Sequence, residues 1–324
     1  MNIKKKDMNI NSLDRLSINN SEQWVLVRGK NHEAPLIVQA QAGPGLPMIP
    51  EANSMNRLLH WENDFLVAYW DQRACGKSFN NNITPESVNI TQMTDDLISI
   101  TEQLLEKYNK EKAILIGYSI GATISLMAAS KNSKLFSQLF LVSTDIDITQ
   151  ANKYAIEFAI KKAEKNNKPK LLRQANDLQN IEISTDKLFQ QRAKLLSNLG
   201  GMMSGKNYTD ILRSTIFNML TSKAYRLNDI PKTINGMSFC QNALLAELNT
   251  LDLFKQVKEV DCPVHFMHGT QSGIAPYQLA IDYYDYLKSP CKMFTTFEHS
   301  AHMLQYDEPE KFASVIRENI INNH

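Results

Sequence analysis

The chain has 324 residues, of which 43% are hydrophobic and 21% charged, and its formal net charge is +1. These values fit a soluble globular protein built as one large α/β domain, or as a core with a lid. The near-neutral balance argues against an electrostatic nucleic-acid binder, and no apolar run reaches the ~20 residues that span a bilayer.

Residues 1–20 are polar and expected to be frayed at the start. The basic opening, Met1-Asn2-Ile3-Lys4-Lys5-Lys6-Asp7, is not followed by an apolar h-region, so a cytoplasmic location is expected. Gln23–Arg28 alternates as an antiparallel strand does, and Gly29-Lys30-Asn31 supplies a turn. Short apolar runs at 35–40 and 65–70 read as buried strands. A helix follows over 91–108, with Met93, Leu97, Ile100, Leu104 and Leu105 on one face. Strands are expected at 113–116 and 139–142, and strands alternating with helices predict a parallel sheet. From 147 to 250 the periodicity is helical, with helices expected at 151–165, 187–199, 208–219 and 238–248. The α/β rhythm resumes at Pro263–Gly269, followed by a helix near 276–287, a strand at 292–297 and a terminal helix from Pro309. The expected organisation is an α/β core formed by 1–146 and 251–324, with a helical cap over 147–250. Cys75, Cys240, Cys262 and Cys291 are scattered, as free thiols in a reducing compartment would be.

Gly117-Tyr118-Ser119-Ile120-Gly121 carries the chemistry. A G-x-S-x-G pentapeptide between a buried strand and a helix has the context of a nucleophile elbow. The serine is held on a sharp turn, and the flanking glycines let strand and helix approach. The first free N–H groups of the helix lie beside the hydroxyl.

The order of segments resembles the α/β-hydrolase fold, and most closely its proline iminopeptidase-like group. Gln41-Ala42-Gly43-Pro44-Gly45 stands for that group's HGGPG loop, Asp71-Gln72-Arg73-Ala74-Cys75-Gly76-Lys77-Ser78 for its DQRGxGxS loop, and Ser300-Ala301-His302 for its late histidine. The resemblance spans nearly the whole chain. It implies Ser119 as nucleophile and His302 as its base, with the N–H of Ile120 and a second N–H from Gly43 or Ala42 forming the oxyanion hole. Tyr118 and Gln41 are the expected substrate contacts. Asp71-Gln72-Arg73 reads as structural, with Arg73 tying loops together and Asp71 available to pair with it.

The acid departs from the pattern. The group's G-x-x-D falls on Gly269-Thr270-Gln271-Ser272, so a serine stands where a carboxylate is expected. Either the acid has moved to the end of the strand after the elbow, at Asp145 or else Asp147, or the enzyme runs as a weakened dyad, or the site is inactive. Asp145 could equally be a loop carboxylate capping the next helix. The Glu-containing cap motif with which proline iminopeptidases hold a free amine is not recognisable, although Glu247 could serve. The reading that follows is a serine hydrolase for a carboxylic ester or lactone, with an aminopeptidase or a weakly catalytic binding protein as alternatives. No metal or cofactor is implied. The expected partner is a small ester, lactone or short peptide, with no nucleic acid and no membrane.

Overall fold

The computed structural model describes residues 9–321. Eight strands form a single sheet: β1 (Ile10–Ile18), β2 (Ser21–Gly29), β3 (Leu36–Ala40), β4 (Leu66–Asp71), β5 (Ala113–Tyr118), β6 (Phe136–Val142), β7 (Val264–Gly269) and β8 (Lys292–Phe297). Their order is β1-β2-β4-β3-β5-β6-β7-β8. The β1–β2 and β2–β4 pairs are antiparallel, and every pair from β4 through β8 is parallel. β3 to β7 are buried along almost their whole length. Such strands read as apolar runs because helices cover both faces of a parallel sheet.

The helices are α1 (Ala52–Leu59), α2 (Ile90–Tyr108), α3 (Ile120–Asn132), α4 (Ile148–Lys165), α5 (Pro169–Leu178), α6 (Asp186–Asn198), α7 (Tyr208–Thr221), α8 (Asp229–Leu248), α9 (Leu253–Gln256), α10 (Tyr277–Tyr286), α11 (Leu304–Asp307) and α12 (Pro309–Ile321). One apolar cluster joins the sheet to α2, α3 and α10, and a second joins its other face to α1 and α12. Between β6 and β7 the described elements are all helical, α4 to α9, and three of them share a separate small core around Ala159, Ala175 and Leu195. No helix among the described residues is long and apolar enough to cross a membrane. The four cysteines are unpaired.

The structure adds β1, α1, α5, α9 and α11 to the elements expected from the sequence, and α8 begins at Asp229, ahead of the expected 238. Residues 10–18 form an edge strand paired along its whole length with β2, although Leu13 faces outward while Ser12 and Asp14 lie on the half-buried face. The apolar residues Ile10, Leu13 and Leu16 fall three apart, out of phase with the pleat, so the period-2 signal is lost. The α5 helix sets Leu171, Leu172, Ala175 and Leu178 at helical spacing, but over only ten residues, less than the span in which a periodic pattern stands out.

The Asp71–Ser78 loop is structural, but its pairing differs from expectation. Arg73 pairs with Asp96 of α2 instead of Asp71, at 2.7 Å and 2.9 Å, with both side chains buried. Asp96 also accepts from Gln23, Asn19 and Gln92. Asp71 accepts instead from the N–H groups of Met48, Ile49 and Lys77 and from the Tyr225 hydroxyl. It thereby fixes the loop that follows β3 and ties it to the inserted helices. Asp96→Ala strands a buried guanidinium. Urea unfolding should register a loss of about 3–5 kcal/mol, whereas a loss below about 1 kcal/mol would mean that Arg73 finds other partners.

Candidate active site

The site lies at the carboxyl ends of β5 and β6, where an open parallel sheet leaves its loops free to carry side chains. Ser119 joins β5 to α3 with φ 52° and ψ −122°. This is a positive-φ conformation that costs a non-glycine residue of order 1–3 kcal/mol. The turn is held from both sides, since Ser119 N–H donates to Val142 O on β6 (2.8 Å) and Ser119 O accepts from Ala122 N–H (2.9 Å). The flanking glycines are required by contact. A Cβ on Gly117 would lie 2.5 Å from Ala122 Cα, and one on Gly121 would lie 2.2 Å from the Ala40 carbonyl oxygen.

α3 begins at Ile120, so its first N–H groups have no acceptor within the helix. The Gly43 turn comes down beside them, and a Cβ built on Gly43 would stand 3.7 Å from Ile120 Cγ2. The structure thus brings together the two backbone segments expected to form an oxyanion hole, with Ala42 next to Gly43 in the same half-buried turn.

Tyr118 and Gln41 are placed differently from the substrate contacts expected of them. Tyr118 is the last residue of β5, and strand alternation points its side chain opposite to the one that follows. It is buried, stacks on Phe312 of α12 and donates to Gln39 Oε1 at 3.3 Å. Gln41 is buried and its Nε2 donates to Pro47 O, closing its own loop.

Asp145 follows β6 after a turn in which Ser143 takes φ 49°. Its backbone is pinned to α3, where the Thr123 hydroxyl donates to Asp145 O at 2.5 Å. Its carboxylate therefore reaches the elbow, and Ser119 Oγ donates to Asp145 Oδ2 at 2.8 Å. Burial pushes the Asp145 carboxyl up to about 6, opposed by the Ser119 hydrogen bond and by the charge of Arg192 on α6. The Arg192 Nε is itself buried without a hydrogen-bond partner. Asp147, the second candidate acid, is the N-cap of α4, accepting from Gln150 N–H at 2.9 Å.

His302 sits between β8 and α11 on a heavily tied loop. The N–H groups of His302 and Met303 both donate to Met202 O in the inserted segment, and Ala301 N–H donates to Asp307 Oδ2. Its Nδ1 lies 3.3 Å from Ser272 Oγ. The expected hydrogen bond between Asp145 and His302 is not formed, because the carboxylate is engaged by Ser119 and a hydroxyl faces Nδ1. Burial, and next the neighbouring His268, pull the His302 imidazole down to about 3. Ser119, Asp145 and His302 are 6%, 8% and 7% exposed, so the site is closed over by its surroundings.

The α/β-hydrolase fold family profile matches residues 52–309, most of the chain. The chain belongs to the α/β-hydrolase family. A probable aminopeptidase, YbaC of Bacillus subtilis (strain 168), is 27% identical over 307 residues, covering 94% of each chain. A proline iminopeptidase-related protein of Thermus thermophilus superposes with a TM-score of 0.67 at 19% identity, covering 96% of this chain and 98% of that one. An esterase from Exiguobacterium antarcticum does so with 0.63 at 17%, covering 97% and 100%. Relatives of this α/β hydrolase are thus named as peptidases and as esterases.

His268, at the end of β7, offers a clean proton-linkage test. Burial pulls its imidazole down to about 4, while Nδ1 faces Gly269 O and Nε2 has no partner. Its folded pKa lies below the ordinary value, so the unfolded chain binds the extra proton and stability falls as pH drops below about 6.5. Relative to His268→Gln, the wild type should lose about 2 kcal/mol between pH 7.5 and pH 5. Urea midpoints of the two proteins at both pH values measure it, and a constant difference would contradict a neutral buried His268.

Proposed function

We propose that this hydrolase cleaves a carboxylic ester or lactone through an acyl-enzyme on Ser119. The observation that carries the reading is the strained Ser119 turn, with the N–H of Ile120 and the Gly43 turn on one side and titratable side chains on the other. The hydroxyl attacks the acyl carbon, and the two backbone segments receive the oxyanion. The sequence nominates His302 for proton transfer, and Asp145 is the carboxylate that touches the nucleophile. The inserted helices act as a lid. α8 packs directly on the oxyanion loop, where a Cβ on Gly45 would lie 2.7 Å from Met237 Cα.

The preference for an ester or lactone over a peptide with a free amine is supported by the charges that reach the site. Glu247 accepts from Ile90 N–H at the start of α2, which engages it away from any substrate. The charge from the inserted helices that acts on Asp145 is a cation, Arg192. A cation whose charge already acts on Asp145 disfavours an ammonium group beside that carboxylate. The aminopeptidase reading is retained as second because the YbaC relative matches end to end.

Ser119→Ala should lower hydrolysis of p-nitrophenyl esters and simple lactones by at least about 1,000-fold, and a smaller loss would remove Ser119 from the mechanism. Aminoacyl-p-nitroanilides with free or acetylated amines separate the two readings, since an aminopeptidase turns over only the free form.

A further inference from the structure

The two hydrogen bonds around the elbow assign proton-transfer roles different from those of a serine–histidine–carboxylate relay. Ser272 Oγ accepts from the backbone N–H groups of Ile274 (3.4 Å) and Ala275 (3.2 Å), which occupy its two lone pairs. The hydroxyl hydrogen is left for His302 Nδ1, 3.3 Å away. An imidazole that accepts at Nδ1 carries its proton on Nε2. That tautomer makes Nε2 a donor and leaves it no lone pair to accept a proton. A carboxylate at position 272 would impose the reverse, taking the Nδ1 proton and leaving the Nε2 lone pair free to receive a serine proton. Ser119 meanwhile already donates to a carboxylate, Asp145 Oδ2, at 2.8 Å.

We propose that Asp145 is the base that takes the Ser119 proton, and that Ser272 is a positioning residue that holds His302 in its Nε2–H form as a hydrogen-bond donor. The inference rests on Ser119 being the nucleophile. Three further observations agree with it. The Asp145 carboxyl, raised by burial to about 6, titrates near neutral pH, where a general base works best. The facing charged group is Arg192 of α6, which favours the ionised form. His302 and His268 are held neutral by burial, so neither competes for the carboxylate as a cation.

The step balances within the site. As Ser119 Oγ bonds to the acyl carbon, its O–H bond breaks, the proton passes to Asp145 Oδ2 and the carbonyl π pair moves onto the oxygen. When the carbonyl re-forms, the bond to the leaving oxygen breaks and Asp145 returns the proton to it. In the second half a water gives its proton to Asp145 while its oxygen bonds to the acyl carbon. Ser119 Oγ then departs and recovers that proton, and both residues end unchanged.

The test is the rate of Ser119 labelling by a fluorophosphonate, followed by intact mass against pH, with thermal melts as the folding control. Asp145→Asn should slow labelling by about 100-fold or more, the usual worth of a general base. His302→Gln should cost about tenfold and keep the wild-type acid limb near pH 6, where Asp145 becomes protonated. In a Ser272→Asp background, which restores the relay tautomer, Asp145→Asn should cost far less than in the wild type. Loss of labelling in His302→Gln with Asp145→Asn little changed, or equal loss in both, overturns the assignment. A wild type that is not labelled at Ser119 overturns the nucleophile itself, an outcome distinct from labelling that depends on His302. If Asp145→Asn does not fold, the wild-type limb decides in a water–dioxane mixture. Carboxyl ionisation creates charge, so its limb rises as polarity falls, whereas an imidazolium limb falls and would refute the proposal.

Discussion

The hydrogen bond between Ser119 and Asp145 depends on the pairing of β5 with β6. The register places Tyr118 opposite Val142, so the turns that end the two strands emerge side by side. The Ser119 N–H then closes onto Val142 O, and the Thr123 hydroxyl closes onto Asp145 O. Two positive-φ residues, Ser119 and Ser143, absorb the bend. Their strain persists because the buried sheet beneath over-determines it. Without this parallel pair the serine and the carboxylate would have no common frame.

The chemistry-bearing residues come from distant parts of the chain, yet each is anchored by backbone contacts. The loop after β3, which carries Gly43, is held by Asp71, whose carboxylate accepts from the N–H groups of Met48, Ile49 and Lys77 and from the Tyr225 hydroxyl. The His302 loop is fixed by Met202 O and Asp307. Rigid anchoring of this kind lets a site hold reacting atoms in place without ordering them afresh at each turnover.

Much of this was legible in the sequence because it is local. Whereas His302 is singled out only by the resemblance to the α/β-hydrolase fold, G-x-S-x-G between a buried strand and a helix and the apolar runs of β3 to β7 each declare themselves within a few residues. The same holds for Asp145, whose position after β6 could be read, but not its partner. A carboxylate at the end of that strand can turn toward Ser119 or toward His302, and only the tertiary path of three loops selects. Tyr118 misled because adjacency to the nucleophile in sequence is the opposite face in a strand. The edge strand β1 was hidden by Leu13 and Leu16, which imitate a helical spacing, and pairing with β2 overrode it.

The twin hydrogen bonds from His302 and Met303 to the Met202 carbonyl have a mechanical consequence. Met202 lies between α6 and α7, so the loop that carries the histidine is clasped to the helical segment inserted between β6 and β7. Swinging those helices aside around Met202 would break two backbone bonds and release the histidine loop. On the proposed reading of those helices as a lid, opening it either carries the His302 loop along or gives up both bonds to the Met202 carbonyl.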